Sequence, residues 1–261
     1  MAGDLLVEDV GPVRVLTMNR PAARNALAGT LITALYRALL DADADDHVRV
    51  VVLTGSDPAF CAGVDLKQAA REGAAYFALF ESEDCITQVA RLRKPIIGAV
   101  NGAAITGGLE MALGCDFLIA SERAVFADTH ARVGVLPGGG MTARLPQLVG
   151  AGHARRMSLT SEIVDAARAE RMGLVTEVVP HERLRPRAVE LASAIAEVPV
   201  GVLLPYKQIY REGLESVIGA ALDIETTISG RHPPDFGALE QRRVAVTERN
   251  RGQLDDGQAG S

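Results

Sequence analysis

The sequence predicts an α/β protein built on a mostly parallel sheet with helices packed outside it. Continuous apolar runs end in glycine turns that open helices: Val48 to Leu53 reads as a buried strand ending at Gly55, and Pro95 to Val100 is followed by a helix from Gly107 to Leu113. The same strand, turn and helix order returns more loosely around Phe117 to Ala120. Repetition of this unit, followed by a final third that is chiefly helical, favours parallel strands with helical crossovers.

Each element has a local reason. Leu5 to Glu8 and Val13 to Met18 alternate on either side of Gly11-Pro12, the pattern of an N-terminal strand pair joined by a tight turn. Ala28 to Asp41 sets Leu31, Leu35, Ala38 and Leu39 at helical spacing. After Pro137 the helical segments are Met141 to Val149, His153 to Leu159 and Asp165 to Met172, then Leu184 to Glu197 beyond a strand at Leu174 to Val179. Gly201 to Glu212, Ser216 to Ser229 and Phe236 to Asn250 continue as helices. Pro233-Pro234 breaks the last two, because proline lacks the amide donor and clashes with the preceding turn. Arg251 to Ser261 is rich in Gly, Gln and Asp without periodicity and is expected to fray. The organisation read from the chain is a core over residues 1–195, a helical region over 196–250, and a disordered tail over 251–261.

Hydrophobic residues at 48% and charged residues at 23% are ordinary for a soluble globular protein. A net charge of -6 argues against nucleic acid or an anionic membrane as partner, while leaving room for a local basic patch that holds a phosphate. No apolar run reaches membrane-spanning length and no charged-then-apolar leader precedes Leu5, so the expected location is the cytoplasm. Cys61, Cys85 and Cys115 form no CxxC pair, and the five histidines show no HExxH spacing, so neither a disulfide framework nor a metal site is expected.

Two loops carry the chemistry. Phe60 to Leu66 and Asn101 to Glu110 each bring an apolar strand into a glycine turn that opens a helix. A backbone N–H near Ala62 and another near Gly107 converging on one carbonyl oxygen would make an oxyanion hole, which stabilises an enolate without a metal. Glu110, one helical turn past Gly107, would supply the proton chemistry. Asp65 and Gln68 fit a capping box, and the N–H groups of the helix they start would face the same turn. Taken singly, Gly107-Gly108 reads as a tight turn and Glu110 as a dipole-complementing carboxylate; their combination with the first loop favours a site.

At these residues the chain resembles the enoyl-CoA hydratase/isomerase family, the crotonase superfamily. The resemblance runs from about Leu5 into the C-terminal helices. It rests on Asn19-Arg20-Pro21 with Asn25-Ala26-Leu27, the Phe60 to Asp65 loop, the Asn101 to Glu110 segment, Cys115-Asp116 and Val133 to Gly138. It implies a ββα-superhelix core, acyl-CoA thioester substrates, no cofactor beyond the CoA of the substrate, and a homotrimer or homohexamer. Carried over residue by residue, it makes Ala62 and Gly107 the oxyanion-hole donors, and Ala62, Gly63, Val64 and Asp65 part of the CoA-binding loop. Glu110 becomes the first catalytic glutamate. The family's second glutamate lies seven residues before the proline of its Gly-x-x-Pro-Gly stretch, and His130 occupies that place here.

Hydration of a conjugated thioester needs one group to activate water at C3 and a proton source near C2, and a histidine can serve near neutral pH. Asp128 reads as a helix N-cap, setting His130 in a first turn where the dipole disfavours imidazolium unless the Asp128 charge offsets it. The alternative gives His130 a structural or substrate-fitting role. The expected activity is therefore an enoyl-CoA hydratase. Isomerisation, thioester hydrolysis or acyl-CoA binding with weak catalysis remain the alternatives. Lys67 and Arg24 are the candidate CoA-phosphate contacts, against the usual solvated role of such side chains, and Lys207 is a weaker third. Gly138 to Ala143 matches a lone G-x-G-x-x-A pattern, but its place after Pro137 fits the family's turn better than a dinucleotide site.

Overall fold

The computed structural model describes the backbone from Gly3 to Ala259 and side chains as far as Leu254. The chain begins with strands β1 (Leu5–Val10) and β2 (Val13–Met18), paired antiparallel about the expected turn, then helix α1 (Gly29–Ala44) and strand β3 (Val50–Gly55). It continues through β4 (Ala59–Cys61), α2 (Leu66–Glu72), α3 (Ala74–Ser82), α4 (Cys85–Arg91), β5 (Ile96–Val100), β6 (Ala103–Ile105) and α5 (Gly107–Leu113). Then come β7 (Phe117–Ser121), β8 (Val125–Ala127), α6 (His130–Val133), α7 (Met141–Thr160), β9 (Val164–Asp165), α8 (Ala166–Arg171) and β10 (Glu177–Val179). Helices α9 (Leu184–Ala196), α10 (Val200–Arg231) and α11 (Leu239–Ala259) complete it.

Six strands form the main sheet in the order β1-β2-β3-β5-β7-β10, parallel throughout except for the first pair. A parallel sheet is covered on both faces, and β3 accordingly buries every residue. Val50 and Val52 turn toward the α9 stripe of Leu184, Ala188, Ala192 and Ala196, while Val51 and Leu53 join Leu31, Leu35 and Leu39 of α1 on the other face. Fully burying one such aliphatic side chain contributes roughly 1.5–3 kcal/mol.

The second sheet, β4-β6-β8-β9, explains the superhelix. Each long strand is followed by a short one and then a helix: β3, β4 and α2; β5, β6 and α5; β7, β8 and α6. Stacking these ββα units brings the start of α2, α5 and α6 to one side of the small sheet, where the two sequence loops lie. Single-sequence periodicity misses β4, β6 and β8 because three residues give no alternation to read.

Several expected boundaries change. Within α7 the two expected helices are distinct, parted at Gly150, which takes a non-helical φ 77° and ψ 154°. The segments flanking Gly213 are one helix of 32 residues, and the strand expected from Leu174 shrinks to Glu177–Val179. The tail expected to fray from Arg251 instead continues α11 to Ala259; Gly260 and Ser261 lie outside the described residues. No single described helix is long and apolar enough to cross a membrane.

Lys207 also takes a different role. Its ammonium, 7% exposed, donates to Asp116 Oδ1 and Oδ2 at 2.6 and 2.7 Å, and Asp116 Oδ2 accepts the Ile96 N–H at 2.8 Å. The lysine thus anchors α10 to the start of β5 and is not available to a nucleotide. Because Asp116 keeps 30% of its side chain exposed, Lys207→Met is expected to lower the unfolding free energy by about 1–3 kcal/mol, less than for a fully buried pair, as read by chemical denaturation.

Candidate active site

The Phe60 to Asp65 loop and the N-terminus of α5 touch. A Cβ added to Gly63, whose φ of +85° favours glycine, would lie 2.9 Å from the Ile105 carbonyl oxygen and 3.1 Å from the Gly107 nitrogen. One added to Gly107 would lie 3.7 Å from the Val64 nitrogen. Gly108 serves a neighbouring need, since its added Cβ would fall 2.1 Å from the Cys61 carbonyl oxygen and prevent α5 from seating on β4.

The hydrogen bonding of this loop corrects the expected donor. The Ala62 N–H is already engaged by the Arg24 carbonyl at 3.0 Å. In the parallel bridge between Leu27 and Val64, the Leu27 N–H donates to the Gly63 carbonyl at 2.8 Å and the Asp65 N–H to the Leu27 carbonyl at 3.4 Å. Strand geometry then turns the Val64 N–H to the opposite side, toward α5, without an acceptor among the described residues. Gly107 is the first residue of α5, so its N–H has no partner within the helix. The two free donors belong to Gly107, the residue the sequence suggested, and to Val64, two residues along from the suggested Ala62.

Thr106, which the sequence did not single out, sets the direction of the Gly107 amide. It holds φ 56° and ψ -114°, a strained backbone for a β-branched residue. Its Oγ1 lies 2.6 Å from Thr129 Oγ1 and accepts the Thr129 N–H at 3.1 Å, tying the strained turn to the segment that carries His130.

Glu110 is 3% exposed and points into the same space from α5. Its Oε1 accepts the Gly139 and Met141 N–H groups at 2.9 and 3.3 Å, and its Oε2 faces His130 Nε2 at 3.7 Å. Burial pushes the Glu110 carboxyl up to about 7; the His130 charge partly opposes this and the nearby Glu225 adds to it. For His130, burial alone would lower the pKa, but the facing Glu110 charge and the hydrogen bond to Asp128 outweigh it and raise it.

Asp128 is not the N-cap that the sequence suggested. Thr129 holds the cap position of the four-residue α6, and Asp128 Oδ1 instead accepts both the His130 N–H at 3.1 Å and the ring Nδ1 at 2.7 Å. Burial opposes ionisation of Asp128, yet these contacts hold its carboxyl below the ordinary range. Asp128 therefore fixes the tautomer, with Nδ1 carrying a proton and Nε2 turned to Glu110. The expected dipole penalty is outweighed by two carboxylates.

A cavity of about 610 Å³ lies beside this centre, reaching Val64 and the neighbouring Ile105 and Thr129 at its inner end and lined further out by Arg24, Ala62, Asp65 and Lys67. Arg20, Arg71 and Arg243 add positive charge, and Val246, Thr247 and Asn250 of α11 form a wall. A groove this basic in a chain of net charge -6 fits a polyanion such as a pyrophosphate. Asp65 accepts the Gln68 N–H at 3.2 Å as expected of a cap, but the box is not reciprocal: Gln68 Oε1 accepts from Gly29, and Asp65 also binds Arg20 at 3.1 Å. No group of three or more His, Cys, Asp or Glu side chains among the described residues is placed to hold a metal.

Paired main-chain donors beside a buried carboxylate and imidazole, at the helical ends of stacked ββα units, define a protein that can hold a carbonyl oxygen and move protons at the adjoining carbons. Comparison with known proteins gives the particular class. Residues 9–234 match the family described as Enoyl-CoA hydratase/isomerase, and the chain belongs to that family. It is 42% identical over 224 residues to a probable peroxisomal enoyl-CoA hydratase 1 of Arabidopsis thaliana, covering 84% of this chain and 82% of that one. The crystal structure of an enoyl-CoA hydratase from Mycobacterium tuberculosis H37Rv is 47% identical with a TM-score of 0.80, covering 88% of this chain and 98% of that one. A monofunctional enoyl-CoA isomerase from M. smegmatis is also similar, at 32% identity and a TM-score of 0.72, over 82% and 95% of the respective chains.

Proposed function

We propose that this protein is an enoyl-CoA hydratase that adds water across a 2-enoyl-CoA thioester, with His130 supplying the proton that a second glutamate would otherwise provide. The observation that carries this reading is the Asp128, His130 and Glu110 array, in which Glu110 Oε2 and His130 Nε2 face each other at 3.7 Å. A glutamate and glutamic acid pair holds one transferable proton and one negative charge. Ionised Glu110, imidazolium His130 and ionised Asp128 also hold one transferable proton and sum to one negative charge, so the exchange of residue preserves the reacting state.

In the reaction the thioester oxygen sits between the Val64 and Gly107 N–H groups. The Glu110 carboxylate takes a proton from water as the water oxygen bonds to C3, and the electron pair of the double bond moves through C2 onto the thioester oxygen. The two donors hold that enolate charge where it develops. His130 Nε2–H then delivers its proton to C2 as the enolate collapses, leaving neutral imidazole and protonated Glu110. Transfer of the proton from Glu110 to His130 restores the starting state. The reaction draws on no cofactor beyond the CoA of the substrate, whose phosphates lie against Arg24 and Lys67.

The same family and fold support a homotrimer or homohexamer, and α10 presents Val202, Ile209, Tyr210 and Val217 to solvent as a surface for self-association. Incubation with a 2-enoyl-CoA is expected to yield a product heavier by one water with no free CoA. A 3-enoyl-CoA product would favour isomerisation, and released CoA would favour hydrolysis.

A further inference from the structure

Helix α10 carries a second buried carboxylate aimed at the Gly139 to Thr142 turn that holds Glu110. Glu225 is 7% exposed, its Oε1 accepts the Gly140 N–H at 2.7 Å, and its Oε2 accepts the Thr142 N–H and hydroxyl at 2.7 and 2.5 Å. The amides of this turn therefore alternate between two acids. Gly139 and Met141 donate to Glu110, whereas Gly140 and Thr142 donate to Glu225.

The turn needs such a hold. Gly140 takes φ 103° immediately before α7, and the first amides of α7 have no partners within the helix. Glu110 can be fixed only if the amides whose bonds it accepts are themselves fixed, and the alternate amides of the same turn, Gly140 and Thr142, donate to Glu225. A helix remote in sequence thereby fixes one oxygen of Glu110 and leaves the other facing His130.

We propose that Glu225 is a positioning residue for the proton chemistry, clamping the Gly139 to Thr142 turn so that Glu110 presents Oε2 to the reacting water. Among the described residues Glu225 makes no hydrogen bond to the His130 imidazole or to the Val64 and Gly107 amides, so its contact with the centre runs through the turn that holds Glu110, with only its charge felt at His130. The inference rests on the hydratase reading for its kinetic readout, but the clamp itself is independent of the reaction catalysed.

Charge gives a second, separable consequence. Glu110 is faced by His130, Asp128 and Glu225, while Glu225 is itself faced by Arg144 from α7. Removing the Glu225 charge lowers the affinity of both Glu110 and His130 for protons, because a nearby anion favours the protonated form of each. The pH optimum then moves down.

The test is Glu225→Gln beside Glu225→Asp. Glutamine keeps the shape but has one accepting oxygen for the two amide donors, and aspartate keeps the charge but is one methylene short. Both are expected to lower kcat roughly 10- to 100-fold with KM for acyl-CoA little changed, as for a misplaced catalytic group. Only Glu225→Gln is expected to shift the pH–rate profile to lower pH. Hydrogen exchange followed by mass spectrometry on peptides covering residues 138–143 is expected to quicken in both, with the rest of the chain unchanged. Wild-type kcat with an unmoved pH profile in Glu225→Gln would overturn the proposal, as would unaltered exchange in the turn. Loss confined to thermal stability would also overturn it. A wild-type protein that does not hydrate any enoyl-CoA would instead reject the functional reading, and the exchange measurement would still decide the clamp.

Discussion

Glu110→Gln is expected to reduce kcat for hydration by about 10²–10⁴-fold while leaving acyl-CoA binding measurable, the span general acid–base groups contribute. The loss is chemical because the substitution preserves shape. A glutamine oxygen can still accept the Gly139 and Met141 amides that Glu110 accepts now, so the turn and α5 keep their places. What disappears is a group able to take a proton from water. The proposed phosphate contacts and the main-chain donors lie on other residues, so the dissociation constant for a saturated acyl-CoA is expected to stay within a few-fold of wild type. Single-turnover kinetics and calorimetric titration read the two quantities apart; equal loss of both would mean that Glu110 holds the fold of the site and not its reactivity.

The second large effect is expected at His130. His130→Gln removes the proton donor to C2 and is expected to lower kcat by about 10²–10³-fold. Asp128→Asn keeps the ring present but removes the charge that favours imidazolium, so the pH profile diagnoses it better than the rate at one pH. The active form needs Glu110 ionised and His130 protonated, which gives a bell-shaped profile. Its acidic limb is expected near 7, up to which burial pushes Glu110, and its basic limb above the ordinary histidine range, where the Glu110 and Asp128 charges hold His130. Without the Asp128 charge both groups bind their protons less tightly, and both limbs move to lower pH. An unshifted profile in Asp128→Asn would show that the proton at C2 comes from elsewhere.

Much of the fold was legible because its signals are local. The apolar run ending at Gly55, the helix from Gly107 and the α1 stripe of Leu31, Leu35 and Leu39 read directly from spacing. The second sheet was not legible, since its strands are held by pairing partners dozens of residues apart. The same limit governs the site. Glu110 and His130 stood out by position, yet which loop amide is free depends on a bridge between Leu27 and Val64 and on Arg24 engaging Ala62. No pattern in Phe60 to Asp65 alone separates Ala62 from Val64. Asp128 offered a capping signal that the fold turned into a histidine partner, and Glu225 gave none, because its target lies 85 residues away on a different helix.

The whole scheme depends on where the thioester oxygen rests. A crystal structure with a bound saturated acyl-CoA measures that directly: the oxygen is expected within hydrogen-bonding distance of both the Val64 and Gly107 nitrogens, about 2.7–3.1 Å, with C2 and C3 of the acyl chain beside Glu110 and His130. An oxygen bound to neither nitrogen, or an acyl group directed away from Glu110, would contradict the account.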